Sequence, residues 1–226
     1  MAVADPEATV SGDAKAGLVR VVYGGGKGTS ELNQDLAPVP GDAGPNDYFG
    51  DSLATVDYNK DGCTDLVVGT SREDVGSATD AGTVDVIYRA SGGLGTGKAA
   101  LHLEQGMGSE GILAASSESG DRMGTQVALV NRDPGATATD ESLVMAVGVP
   151  GEDIGTVADA GAVQVFGLRG TPGAADRWVE AGNTARGPTG RHRAAGHHLR
   201  TGHRWPPGRR APVRHVRSVS DGSTAA

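Results

Sequence analysis

The most informative nine residues of the chain read Asp57-Tyr58-Asn59-Lys60-Asp61-Gly62-Cys63-Thr64-Asp65. Side chains that carry oxygen atoms stand at positions 1, 3, 5 and 9 of this segment. In a tightly curled loop, alternate residues turn their side chains to the same side. Gly62 allows a sharp bend that a residue with a Cβ atom resists, and this bend would turn the Cys63 carbonyl inward and bring Asp65 back toward the loop.

This set of oxygen atoms predicts a calcium site. Calcium takes about six to eight oxygen ligands at about 2.3–2.6 Å, whereas zinc prefers Cys and His. The predicted ligands are the side chains of Asp57, Asn59, Asp61 and Asp65 and the backbone carbonyl of Cys63. The alternative is an acidic, glycine-containing turn that binds no metal.

The residues on either side of the loop predict strands. An EF-hand needs a bidentate Glu at position 12 of its loop and a helix on each side, and position 12 here is Val68. Residues 52–56 and 66–68 alternate or run apolar and are rich in β-branched side chains, as in strands. We therefore expect the loop to join the two strands of a hairpin.

The pattern recurs along the chain. Three successive segments, 49–56, 66–71 and 80–87, are matched in the same order by 123–130, 143–150 and 159–166. An earlier strand over residues 17–23 copies the one at 82–88, and the equivalent glycines Gly17, Gly82 and Gly161 lie 65 and 79 residues apart. Units of this size with about four short strands are what the blades of a β-propeller require.

These segments resemble the FG-GAP repeat of integrin α subunits, which form seven-bladed propellers, and of many secreted bacterial proteins. The resemblance rests on Phe49-Gly50, the loop at 57–65 and the turn Gly69-Thr70-Ser71. It implies an all-β fold, a partial β-propeller whose loop binds calcium through the ligands named above. It also implies a secreted, non-enzymatic scaffold that binds another protein or an extracellular ligand, as in adhesion.

The second full repeat departs from the calcium pattern. Asn131-Arg132-Asp133-Pro134-Gly135 stands where the loop should be, with an Arg that a bound metal would repel and a Pro that stiffens the turn. We expect no calcium there.

Two and a half blades cannot close a propeller, so we expect either a piece of a longer chain or the loss of the other blades. Residues 1–7 lack the basic start and the apolar run of a signal peptide.

Composition divides the chain into unlike parts. The net charge of −8 combines −15 over residues 1–170 (10 basic, 25 acidic) with +7 over the rest (10 basic, 3 acidic). We expect a frayed N-terminus at 1–14, blades at 15–170, a linker at 171–185 and a disordered tail at 186–226. No segment approaches the roughly 18 apolar residues of a membrane span, and the single Cys63 excludes an internal disulfide.

The tail holds nine Arg, five His and one acidic residue over 41 positions. It has too little apolar content to build a core, so we expect disorder without function and no nucleic-acid partner. The alternatives are an Arg-rich arm for nucleic acid, a His-rich metal tract, and out-of-frame translation of GC-rich codons, which also yields Arg without Lys.

An enzymatic function is not predicted. Residues 49–53, Phe-Gly-Asp-Ser-Leu, spell the nucleophile motif of the GDSL esterases, but no His in the chain has the Asp three residues before it that this family carries. The repeat explains the Phe-Gly pair independently, and its copy has Gln126 in place of Ser52. The alternative function is an accessory propeller segment of a secreted hydrolase whose catalytic domain lies outside this chain.

Overall fold

A computed structural model of the protein describes residues 1–59, 61–106, 116–131 and 142–167. These residues form strands and turns and no helix, which confirms the all-β prediction. The strands are β1 (Ala2–Asp5), β2 (Leu18–Val22), β3 (Thr29–Leu32), β4 (Phe49–Val56), β5 (Asp65–Thr70), β6 (Thr83–Ile87), β7 (Arg89–Ala90), β8 (Gly93–Leu94), β9 (Leu101–Leu103), β10 (Val127–Asn131), β11 (Leu143–Val149) and β12 (Ala162–Gly167).

The strands form three successive antiparallel sheets and one short hairpin. The first sheet has the order β1-β2-β3, the second β4-β5-β6-β9 and the third β10-β11-β12, while β7 and β8 pair with each other. Three sheets are fewer than the roughly four to eight blades of a closed propeller, so the described residues form part of such a ring at most. No helix in the described part of the chain could cross a membrane.

One register is repeated in all three sheets. In each sheet, one pair of neighbouring strands is joined by a turn. The paired residues next to that turn are Asp5 and Leu18, Thr70 and Thr83, and Val149 and Ala162. The separation along the chain is thirteen residues in every case. The connecting turn is also the same, because each turn contains an isolated bridge, between Val10 and Asp13, Val75 and Ala78, and Ile154 and Val157. The repeat predicted from the sequence is therefore a structural repeat.

Neighbouring sheets pack through apolar faces. Successive side chains of a strand point to opposite faces, so β5 gives Leu66 and Val68 to the cluster shared with the first sheet and Val67 to the cluster shared with the third. Both faces of β5 are covered, and all six of its residues are buried. The second sheet therefore behaves as the middle layer of a stack.

The tightest contacts between sheets involve glycine. A Cβ atom placed on Gly82 would lie 2.3 Å from the carbonyl oxygen of Met123, and one on Gly17 would lie 2.3 Å from that of Phe49. Backbone hydrogen bonds hold both junctions, because the Met123 N–H donates to the Ala81 carbonyl at 2.8 Å and the Phe49 N–H makes the equivalent bond at 2.8 Å. Phe49, and Met123 at the same repeat position, thus bind each sheet to the one before it through the backbone.

A polar pair is also repeated at the two junctions. Gln34, which follows the first sheet, donates through Nε2 to Glu73 at 2.5 Å, and Gln105 makes the same bond to Glu152 at 2.6 Å. Burial raises the pKa of Glu73 to about 7, against the opposing effect of the Gln34 hydrogen bond, and the nearby Asp47 carboxylate raises it further. Glu73 therefore titrates near neutral pH within a junction between sheets.

The expectation of a frayed N-terminus was wrong. Residues 1–14 are not simply frayed, because β1 pairs along its whole length with β2, Ala2 opposite Val21 and Asp5 opposite Leu18. The first sheet also has a third strand, because β3 pairs with β2. The first repeat thus has three strands instead of one, since a short polar segment becomes a strand when a neighbouring strand offers its backbone groups.

Several expectations fall on parts of the chain outside the described residues. The substituted loop of the second full repeat lies there from Arg132 onward, as do the linker at 171–185 and the basic tail at 186–226. The absence of calcium from that loop and the disorder of the tail stay predictions.

We predict that Gly82→Ala destabilises the fold far more than Gly76→Ala. Both glycines have positive φ, 81° and 60°, so alanine costs about 1 kcal/mol of backbone strain at each. Gly76 faces open space, whereas the new methyl group at position 82 would displace the Met123 backbone; we expect a total loss of about 3 kcal/mol or more. Urea unfolding of the two variants measures the difference, and equal losses would show that the junction is not tightly packed.

We also predict that Glu73 makes stability fall as pH rises. Its folded-state pKa of about 7 lies above the ordinary glutamate pKa of 4.5, so the folded protein binds more protons between these values, and stability declines from about pH 4.5 to about pH 7. The decline due to Glu73 is about 3 kcal/mol at most. Urea unfolding across this range should show a weaker decline for Glu73→Gln, while Glu7→Gln, which leaves the junction intact, keeps the wild-type profile.

Candidate calcium-binding loop

The predicted loop lies at one end of the second sheet. β4 ends at Val56 and β5 begins at Asp65, and these two residues face each other in the ladder. The loop therefore connects adjacent antiparallel strands, as the strand-like flanks predicted. Gly62 has a φ of 82°, a backbone conformation that glycine adopts without the strain of a Cβ atom.

Asp57 and Asn59 both face the backbone of the loop's centre. The Asp61 N–H lies 3.1 Å from Oδ1 of Asp57 and 3.1 Å from Oδ1 of Asn59. The second carboxylate oxygen of Asp57 accepts the Gly62 N–H at 3.0 Å. The side-chain oxygens of the first two predicted ligands thus flank a single backbone N–H.

Asp61 completes this group. Its Oδ1 accepts the Cys63 N–H at 2.8 Å, and its Oδ2 lies 3.0 Å from Nδ2 of Asn59. The hydrogen bond from the Cys63 N–H lowers the pKa of Asp61, and the Asn59 amide adds to the effect. Asp61 is exposed and is held in its charged form, as a metal ligand must be.

Asp65 is placed differently. It is fully buried, and its two oxygens accept the N–H groups of Tyr58 and Arg89, each at 2.9 Å. Burial raises its pKa, although these hydrogen bonds oppose the shift. Asp65 therefore ties the start of the loop to the chain that follows β6.

The residues fit a calcium ion in part. The structure brings together Asp57, Asn59 and Asp61, and carboxylate, amide and carbonyl oxygens are the chemistry that calcium prefers. Asp65 is directed to backbone N–H groups, and Cys63 contributes its own N–H to the group. Within the described residues, no three His, Cys, Asp or Glu side chains are gathered closely enough to hold a metal. In this conformation the loop's acidic oxygens bind its own backbone.

Sequence reasoning missed two residues that support the loop. Tyr58, at the second loop position, is buried and meets Tyr88 edge to face with ring centroids 6.1 Å apart. Arg89 lends its backbone N–H to Asp65. An aromatic residue between two ligand positions was a visible signal for Tyr58, whereas nothing in the loop points to Arg89.

The serine of the esterase-like motif takes part in sheet packing. Ser52 is buried, and its hydroxyl donates to the Gly124 carbonyl of the third sheet at 2.6 Å. His102, the one His within the described ranges, has its Nδ1 2.8 Å from Oδ1 of the fully buried Asp85. Each side chain has a structural partner.

The second sheet, with its connecting loop, is a unit of a β-repeat protein. Residues 49–87 match the FG-GAP repeat, a span that runs from the first residue of β4 to the last of β6. The chain carries an FG-GAP repeat, as the sequence predicted. No curated protein matches the chain.

We predict that Asp65→Asn destabilises the metal-free protein more than Asp61→Asn. Asparagine at position 65 has one acceptor oxygen for two buried N–H donors and turns an amide donor toward one of them, which costs about 1–3 kcal/mol. At the exposed position 61, water can satisfy the same groups, so the loss should be smaller. Urea unfolding in EDTA gives both values, and an equal loss would contradict the tying role of Asp65.

Proposed function

We propose that the protein is a non-enzymatic, calcium-binding β-propeller-type module that acts as a scaffold for binding another protein or an extracellular ligand. The observation that carries the proposal is the convergence of Asp57, Asn59 and Asp61 around one backbone N–H, within a matched FG-GAP repeat. FG-GAP repeats are typical of extracellular proteins, which supports a role outside the cell.

The charge of the loop supports calcium as its ligand. Asp57 and Asp61 are carboxylates at positions 1 and 5 of one short loop, and both are engaged with N–H groups of residues 61–63. A divalent cation would offset the repulsion between them and stabilise the folded loop by binding the native state. Asp57, Asn59 and Asp61 would hold the ion, together with the Cys63 carbonyl, while Asp65 keeps the loop attached to the sheet.

The described contacts also support a scaffold role over catalysis. Nucleophilic catalysis needs a hydroxyl activated by a His that is itself oriented by a carboxylate. The Ser52 hydroxyl instead donates a hydrogen bond to a backbone carbonyl in the sheet junction. The stacked sheets present their connecting loops at the strand ends, and these loops are the surface we propose for a binding partner.

The decisive experiment is a calorimetric calcium titration. We expect saturable binding to the wild type and at least tenfold weaker binding to Asp61→Ala, because the variant loses a carboxylate from the centre of the loop. Asp42→Ala is the matched control: it removes an exposed carboxylate from another loop and should bind like the wild type. At equal calcium concentration, the ion should also raise the unfolding temperature of the wild type and the control more than that of Asp61→Ala. Equal heats for wild type and Asp61→Ala would contradict the assignment.

A further inference from the structure

Among the described residues, exposed hydrophobic side chains concentrate on the faces of the first and third sheets that point away from the second sheet. Six large hydrophobic side chains are exposed among the described residues: Met1, Val3, Val22, Val130, Val157 and Val163. Three of them lie on or beside the first sheet, two lie on the third sheet, and only Val157 lies in a turn. The middle sheet contributes none.

On the first sheet, the exposed residues occupy repeat positions that are buried in the second. Val3 lies opposite Arg20 as Val68 lies opposite Asp85. Val22 is five residues beyond Gly17, as Ile87 is beyond Gly82. Val68 and Ile87 are fully buried against the first sheet. The outer face of the first sheet therefore has the residues of a face that packs on a preceding sheet.

The third sheet shows the complementary case. Val163 is two residues beyond Gly161, as Val84 is beyond Gly82; Val84 is fully buried in the cluster shared with the third sheet, whereas Val163 is 42% exposed. The equivalent glycines Gly69 and Gly148 show the same difference between the second and third sheets. A Cβ atom on Gly69 would lie 2.1 Å from the Gly124 carbonyl of the next sheet, whereas one on the equivalent Gly148 would meet only Gln126 of its own sheet, at 3.5 Å.

Each repeat also has one polar or charged residue at the same position of its third strand-forming segment. Arg20, Asp85 and Gln164 each stand three residues beyond the repeat glycine. Asp85 pairs across the sheet with His102 at 2.8 Å, and Arg20 pairs across its sheet with Glu31 at 2.8 Å. A cross-strand polar pair flanked by apolar residues is thus compatible with the packed face of the second sheet, and the outer face of the first sheet has the same arrangement.

We propose that the chain associates head to tail with a second copy of itself, the outer face of the first sheet packing on the outer face of the third. The described structure contains this contact twice, between the first and second sheets and between the second and third, and the two outer faces are its unmatched halves. Head-to-tail contacts form rings when the rotation closes. The described parts of two copies bring six sheets together, within the roughly four to eight of closed propellers, and a ring of these sheets would cover both outer faces.

This inference goes beyond the proposed function and does not depend on calcium. The test is sedimentation velocity of the full chain over about a hundredfold range of concentration. We expect a concentration-dependent species with twice the chain's mass of 22.7 kDa. Val163→Asp should weaken this association at least tenfold, because it places a charge in the apolar contact. Val157→Asp is the matched control, with the same substitution at a valine that is 46% exposed but lies off the face; it should associate like the wild type.

A mixing experiment fixes the orientation. Val3→Asp, on the other face, should also abolish self-association, yet an equimolar mixture of the Val3→Asp and Val163→Asp chains keeps one intact contact and should form a dimer. Circular dichroism and urea unfolding confirm that the variants fold. A wild type that stays monomeric, a Val163→Asp chain that behaves like Val157→Asp, or a mixture that does not dimerise would each overturn the proposal.

Discussion

The close approach of each sheet to the next at a glycine is the constraint on which the rest of the structure depends. Gly82 lets the Met123 backbone come near enough for its N–H to bind the Ala81 carbonyl, and Gly17 does the same for Phe49. This spacing brings the apolar faces into contact, so that the valines of β5 and β6 are buried on both sides. The Phe-Gly motif of the sequence is thus a backbone contact point between one sheet and the sheet before it.

The candidate calcium loop depends on the same stack. Tyr58 extends the hydrophobic cluster between the second and third sheets out to the loop, and Asp65 fastens the loop to the chain after β6. Asp57, Asn59 and Asp61, the proposed ligands, accept hydrogen bonds from the loop's own backbone, whereas Tyr58 and Asp65 are buried and hold the two ends of the loop. An ion bound by these three residues would therefore stabilise the loop itself, because the sheets beneath the loop are packed without it.

The sequence predicted the features that depend on local pattern. The apolar flanks of residues 57–65 predicted a loop between two paired strands, the apolar run at 66–68 predicted β5, alternating valines predicted β6, and the recurrence of three segments predicted the repeat. It missed β1 and β3, because Ala2–Asp5 and Thr29–Leu32 are short and partly polar and become strands only through pairing with β2. The role of Asp65 as a ligand stays a prediction. Its hydrogen bond from the Arg89 N–H, 24 residues away, could not be predicted because the loop sequence carries no information about that distance.

The constant thirteen-residue register has a consequence for where the repeats can vary. The loop that joins the first two strands differs in length: nine residues separate the paired Val56 and Asp65, whereas fourteen separate Val130 and Val144 at the same position. The thirteen-residue turns lie at the opposite edge of the sheets, where their backbones bind the neighbouring sheet, as Asp80 and Thr79 do with Arg122 and Gly120. A change of length between β4 and β5 leaves these contacts and the strand register unaltered, so this loop can vary while the stack keeps its geometry.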